Sequence, residues 1–121
     1  MAVYSVTEAI VAWLAGAGYE AHALPPAEAP DSPDEFVTVE RTGGGVEDMV
    51  DHPTVAIQAW APTNARAERM ANEVRNLALT GERPRGVHHM GVNSGPYPFF
   101  DDETRCPRWQ LLLDVTCQLV D

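Results

Sequence analysis

The sequence predicts an α+β fold, in which a mostly antiparallel sheet of four to five strands carries two amphipathic helices packed on one face. Three observations predict it. Apolar residues occupy every second position of the C-terminal segment 108–121, which is the period of a strand with one buried face. Two other segments, beginning near Ser5 and Thr63, repeat apolar residues at helical spacing. Short loops join the remaining strands, and such loops favour antiparallel pairing.

The first predicted element is a helix over residues 3–17. Ser5 and Glu8 have the spacing of a capping box, and Gly18 suits the left-handed position that ends a helix. A short strand is predicted over 19–24. Prolines between residues 25 and 33 then remove backbone donors, which predicts a surface loop. The apolar face of this helix comprises Val6, Ala9, Ile10, Trp13, Leu14 and Ala17.

Two strands are predicted in the middle of the chain, over 36–42 and 54–60, because apolar and polar residues alternate there. The glycine run 43–45 interrupts this alternation, so the segment from there to Pro53 is predicted to be a loop.

The second helix is capped by Thr63 or Asn64 and ends before Gly81 and Pro84. A fourth strand is predicted over 86–92, followed by a turn-rich connection over 93–104 and the final strand. The chain of 121 residues fits one domain, spanning residues 1–121. The apolar stripe of the second helix comprises Ala67, Met70, Ala71, Val74, Leu77 and Ala78.

The composition restricts the classes of partner. The chain has 18 acidic residues against 8 basic ones, and its net charge of −10 disfavours tight binding of nucleic acid or anionic lipid. Two cysteines, Cys106 and Cys117, are too few for a disulfide framework and are expected to be reduced thiols. No apolar run approaches the length of a membrane span, and the N-terminal segment has the pattern of a helix rather than of a signal peptide.

No pattern of residues predicts a catalytic, metal or cofactor site. The run 43–45 lacks the Lys-Ser/Thr that follows in a phosphate-binding loop. Ser94 and the cysteines lie in no nucleophile signature. Neighbouring residues of a strand point to opposite faces, so His88 and His89 cannot share one ion. The histidines and acids that could suggest a metal have no zinc-ligand spacing; they are Asp48, Asp51, His52, His88 and His89.

Two segments are better explained by partners than by chemistry. The predicted loop 43–51 is polar and rich in glycine, yet it carries Val46, Met49 and Val50, which gain by becoming ordered on binding. The alternative is that these side chains pack against their own sheet. The second segment, 96–100, combines two prolines with aromatic side chains typical of interface anchors. Its alternative role is a lid over one end of the core. The aromatic residues of this segment are Tyr97, Phe99 and Phe100.

The order of these elements resembles the tail-terminator (tail-completion) proteins of long-tailed bacteriophages, especially those infecting actinobacteria. It is similar in layout to the terminators of lambda-like siphophages. The resemblance covers nearly the whole chain and rests on the order of elements and on three phrases, which are FVTVER at 36–41, DHPTVAIQAWA at 51–61 and RWQL at 108–111.

The resemblance implies a structural protein of the virion, assembled in the host cytoplasm, with no cofactor and no covalent chemistry. A ring, usually of six copies, would cap the tail tube, stop its polymerisation and offer the surface that joins the head. Its implied partners are its own copies, the major tail tube protein and the head–tail connector, while DNA would pass through the lumen unbound. The loop 43–51 and the final loop and strand, which include Arg108, would serve the interfaces.

Two alternatives to a tail terminator stay open from the sequence. A head-completion or neck protein also forms a ring, but docks on the portal side. A small cytoplasmic enzyme or ligand-binding domain could have the same α+β layout. The acidic charge also leads us to expect a monomer or a weak oligomer in isolation, because six copies would carry roughly −60.

Overall fold

The computed structural model describes residues 2–24, 34–99 and 106–121. This part of the chain forms two helices and one five-stranded mixed sheet that is mostly antiparallel, so the predicted α+β class is confirmed. The elements in chain order are α1 (Val6–Gly16), β1 (Ala21–His22), β2 (Phe36–Glu47), β3 (Val50–Trp60), α2 (Asn64–Thr80), β4 (Val87–Pro98) and β5 (Arg108–Cys117).

The strands follow the order β1-β2-β3-β5-β4 across the sheet. β2, β3, β5 and β4 pair antiparallel, whereas β1 pairs parallel to β2 through only two residues, Ala21 and His22. Parallel pairing was not predicted. It is possible because the chain between β1 and β2 is long enough to return and enter β2 in the same direction.

Both helices cover the same face of the sheet. Directly opposed residues of β2, β3 and β5, such as Val39, Ile57 and Leu111, share this face and are fully buried. They form one hydrophobic core with Ile10 and Leu14 of α1 and with the buried face of α2. The buried residues of α2 are Ala67, Met70, Ala71, Val74 and Ala78.

Side-chain caps fix where the helices begin. The Ser5 hydroxyl accepts the backbone N–H of Glu8 at 3.2 Å, as the capping-box spacing predicts. For α2 the cap is Thr63, whose hydroxyl accepts the N–H of Arg66 at 3.2 Å. The sequence left Thr63 and Asn64 as alternatives, and the structure selects Thr63.

The prediction of a loop over 43–53 is wrong. β2 continues through the glycines to Glu47, and β3 begins at Val50, so the two strands form one long hairpin. Proline has no backbone N–H to donate to a neighbouring strand. β3 tolerates Pro53 because β3 and β5 have no paired residues between Asp51 and Thr54, so no hydrogen bond between these strands is lost there.

The connection predicted over 93–104 is wrong in its first half. β4 continues to Pro98 as an edge strand with three irregularities in its register against β5. Bulges and an edge position accommodate prolines and glycines that a central strand would exclude. Tyr97 therefore lies in β4, opposite Gln110, and Phe100 lies outside the described residues.

The final strand is shorter than predicted. β5 ends at Cys117, and the chain then turns back along the N-terminal segment, where Val3 and Val120 form an isolated antiparallel bridge. The Leu119 carbonyl also accepts the N–H of Tyr4 at 3.2 Å. Cys106 lies before β5 and is half-buried, and Cys117 is buried at the end of β5.

Candidate assembly surface

The β2–β3 hairpin has an exposed distal half, residues 41–52, which we call the arm. All of its residues from Arg41 to Met49 are exposed. Among the described residues, no strand pairs with the outer edge of β2 beyond Thr38. An unpaired strand edge offers backbone donors and acceptors to another chain, so the arm is a candidate assembly surface.

The tip of the arm, residues 46–49, is apolar and acidic together. Val46 is 61% exposed and Met49 is 79% exposed, whereas Val50 is half-buried. Glu47 and Asp48 lie between the two exposed apolar residues. The alternative that these side chains pack against their own sheet is therefore wrong for Val46 and Met49, and it holds only in part for Val50.

The turn at the tip holds Met49 in a backbone conformation that is unfavourable for methionine. Glu47 and Val50 are paired, so Asp48 and Met49 form a two-residue hairpin turn with φ angles of 52° and 64°. Asn and Gly favour this left-handed conformation at the two turn positions. A methionine there costs about 1 kcal/mol relative to glycine. The hairpin turn is therefore less stable with methionine than with glycine at this exposed position.

Gly44 is required for the two strands of the arm to approach each other. Its φ is 95°, and a Cβ atom there would collide with the His52 carbonyl oxygen and lie 2.7 Å from Pro53 Cα. Gly43 and Gly45 have open space around the same position. One glycine of the run is therefore a structural requirement of a strand, not part of a flexible link.

An ion pair joins the two strands at the base of the arm. The Arg41 guanidinium donates to both oxygens of the Asp51 carboxylate, at 2.6 and 2.9 Å. Hydrogen bonding to Arg41 holds the pKa of Asp51 below its usual value, and the same bond raises the pKa of Arg41. This two-pronged geometry holds the two strands of the arm to each other.

Phe99 of the second predicted interface segment joins a row of stacked side chains on the sheet face opposite the helices. Phe36 stacks on Trp60 with ring centroids 5.2 Å apart. The Arg108 guanidinium lies 4.5 Å from the Trp60 ring centroid and 4.9 Å from that of Phe99. It also donates to the Phe99 carbonyl at 2.6 Å. The row ties β2, β3 and β5 to the end of β4.

Tyr97 belongs to a hydrogen-bond chain beside this row. Gln58 donates to Gln110 at 2.7 Å, and Gln110 donates to the Tyr97 hydroxyl at 2.6 Å. Tyr97 and Arg108 thus make contacts within their own chain, and Phe99 remains 40% exposed. Tyr97 and Phe99, the described aromatic residues of the segment, therefore lie on the sheet face opposite the helices and do not cover the core.

A groove between α1 and the segment before β4 was not predicted. It has a volume of about 470 Å³ and an apolar floor formed by Ala9, Ala12, Trp13 and Pro84. Arg83, Arg85 and Glu8 line its rim. Sequence reasoning missed it because its two walls are about 70 positions apart; the two arginines flanking one proline in an acidic chain were the available signal.

The described residues hold no cluster suited to metal binding, since no three His, Cys, Asp or Glu side chains come together there. Burial raises the pKa of the Cys106 and Cys117 thiols, so each is less nucleophilic than an ordinary cysteine.

Neither described helix is long and apolar enough to cross a membrane. No protein-family model matches the chain, and no curated protein matches it in sequence.

Proposed function

We propose that the chain is a structural protein of a long-tailed bacteriophage, a tail terminator of the siphophage type. In this proposal copies of the chain form a ring, of six by the resemblance, that caps the tail tube. The ring ends polymerisation of the tube and provides the surface for joining the head. The observation that carries the proposal is the arm, with its unpaired edge and its exposed apolar tip.

A ring requires each copy to present two different surfaces, because the contact repeats from head to tail around the axis. The arm supplies one surface that is distinct from everything else on the described part of the molecule. The strained turn at Met49 supports a role in binding, because strain of this kind clusters at functional sites.

The charge of the chain is compatible with the proposed position. Six copies would carry roughly −60 in total, so DNA would pass through the lumen of the ring without binding. The proposed partners are the major tail tube protein on one side and the head–tail connector on the other, within the virion. The proposal includes no enzymatic step.

The direct test is capping of purified tail tubes. Tubes of the cognate major tube protein would be mixed with the chain and viewed by negative-stain microscopy. We expect a ring at the tube end and no further elongation when free tube protein is added. Substituting Met49→Ser should weaken capping, whereas the control Leu79→Ser, at an exposed apolar residue of α2, should not.

Two outcomes would contradict the proposal. Tubes that keep elongating in the presence of the chain would rule out a terminator. Binding to a purified connector ring but not to tube ends would favour the neck-protein alternative.

A further inference from the structure

The groove beside α1 has the features of a binding site for an acidic and apolar peptide. Its floor is apolar and includes the Trp13 indole, which is held in place by a hydrogen bond from Nε1 to the Glu82 carbonyl at 2.7 Å. Tyr4 fixes the opposite wall, because its hydroxyl donates to the Arg85 carbonyl at 2.6 Å. A preformed apolar site binds with little loss of side-chain entropy.

Positive charge in the groove comes mainly from Arg83. Its guanidinium donates to the His88 carbonyl at 2.6 Å, and it contacts no carboxylate in the described part of the chain. Arg85 is partly neutralised, because it donates to the Asp121 carboxylate at 2.6 Å. Glu8 on the rim adds one negative charge. An incoming carboxylate would therefore pair best at Arg83.

The tip of the arm matches this groove in chemistry. Met49 and Val46 supply apolar side chains for the floor, and Glu47 and Asp48 supply carboxylates for the arginine rim. Within one copy the tip does not occupy the groove, since Met49 is largely exposed. The two surfaces are different, so a contact between them is heterologous.

The positions of the two surfaces suit a closed ring. In the sheet register, Asp51 at the arm lies opposite Cys117, which lies opposite Val87 at the start of β4. The arm and the segment that carries Arg83 thus lie at the same end of the sheet. Two different surfaces at one end of the sheet are the arrangement that neighbouring copies of a ring with its axis along the strands would need.

We infer that the α1 groove binds the arm tip of a second copy of this chain, with Met49 on the apolar floor and Asp48 at Arg83. The inference rests on the proposed function, because it supplies the second surface that the proposed ring needs. Self-pairing of two β2 edges is a different arrangement, because it uses the same surface on both copies and closes a dimer instead of continuing around a ring.

Disulfide trapping between two differently substituted chains tests this contact even when association is weak. Both chains carry Cys106→Ser, and Cys117 is buried. One chain carries Met49→Cys, and the other, marked by a tag, carries Ala12→Cys at the groove. The control partner carries Glu68→Cys, at an exposed position of α2 outside the groove. We expect the Ala12→Cys partner to cross-link about tenfold faster than the control.

Charge reversal then tests the chemistry of the contact. Adding Arg83→Glu to the Ala12→Cys chain should slow cross-linking about tenfold, because an attraction becomes a repulsion. Adding Asp48→Arg to the Met49→Cys chain should restore the rate with that partner. The control Arg69→Glu, at an exposed arginine on α2, should change the rate little.

Equal cross-linking at Ala12→Cys and Glu68→Cys would overturn the inference, as would a failure of Asp48→Arg to rescue Arg83→Glu. The assay contains no tube protein, so it is independent of the capping test. Normal capping without preferential cross-linking would contradict only the inferred binding of the arm tip in the groove. Preferential cross-linking by a chain that does not cap tubes would contradict the proposed function and leave the contact between copies in place.

Discussion

Met49 is the residue at which stability and assembly are expected to conflict. Its φ of 64° is favourable for glycine and costly for methionine, yet its side chain is almost fully in water. In the isolated chain this residue gains nothing from its size. If the tip binds a partner, the apolar side chain offsets the strain.

The substitution Met49→Gly should therefore stabilise the isolated chain and weaken assembly. We expect the free energy of unfolding to rise by about 0.5–1 kcal/mol, measured by urea denaturation. Cross-linking or tube capping by the same variant should fall at least several-fold. A variant that is more stable and assembles normally would show that Met49 has no role in binding.

Asp51 should make the arm sensitive to acid. Its pKa is lowered in the folded chain, so its contribution to stability is present above the unfolded value of 3.8 and is lost as the pH falls through the lower folded value. Asp51→Asn should cost about 1 kcal/mol near pH 6 and much less near pH 2. Urea denaturation of both forms at the two pH values measures the difference. An equal difference at both would contradict a role for the Asp51 charge.

At the scale of elements, the arm differs from the sequence prediction, which was a loop over 43–53. A glycine run and a proline are ordinary signs of a loop, and here both lie inside paired strands. Gly44 satisfies a close approach of the two strands, and Pro53 lies where β3 has no partner in β5. Such compensations depend on tertiary pairing, which local patterns do not contain.

Gly44→Ala and Gly45→Ala form a matched pair that tests the structure of the arm. The first should destabilise the arm, because its Cβ collides with backbone at His52 and Pro53, whereas the second has open space. We expect amide exchange at residues 43–52 to rise at least tenfold in Gly44→Ala and to change little in Gly45→Ala. Equal exchange in the two variants would show that the arm is not held as described.

The row of stacked side chains on the sheet face opposite the helices should contribute measurably to the free energy of unfolding. Phe99→Ser removes one layer of the row and leaves the helix-covered core intact. We expect a loss of about 1 kcal/mol in the free energy of unfolding, with the chain still folded. Circular dichroism and urea denaturation would check both statements. Loss of the folded state would place Phe99 in the core instead.

Local sequence patterns nevertheless predicted much of the architecture. Ser5 and Thr63 cap the helices as their spacing predicts, and the alternation along β3 and β5 gave their buried faces correctly. The short strand β1 was predicted, but its parallel pairing and the bulged end of β4 depend on long-range contacts and were missed. The groove beside α1 was also missed, because only the fold brings Trp13 and Arg83 together.

At the scale of the whole molecule, net charge opposes self-association at low salt. Two copies of charge −10 at a separation of about 30 Å repel by about 14 kcal/mol in unscreened water. Screening leaves about a third of this repulsion at about 0.01 M salt and almost none at about 0.15 M, since the Debye length falls from about 30 Å to about 8 Å. The local pairing of the arm tip with Arg83 acts over a shorter distance.

Light scattering should therefore show a monomer at about 0.01 M salt and weak association at about 0.15 M. The comparison of charge-reversal variants belongs at the higher salt, where the general repulsion is screened. A tight dimer that is the same at both salt concentrations would contradict the view that charge limits assembly until the tube is present.

The most direct test of the central claim is the distribution of tail lengths in particles made without this chain. We predict tails that extend beyond the normal length, with a broad distribution, and heads that remain unattached, when electron micrographs of a gene-deletion lysate are measured. Tails of normal, uniform length in those micrographs would contradict the claim that this chain ends tube growth.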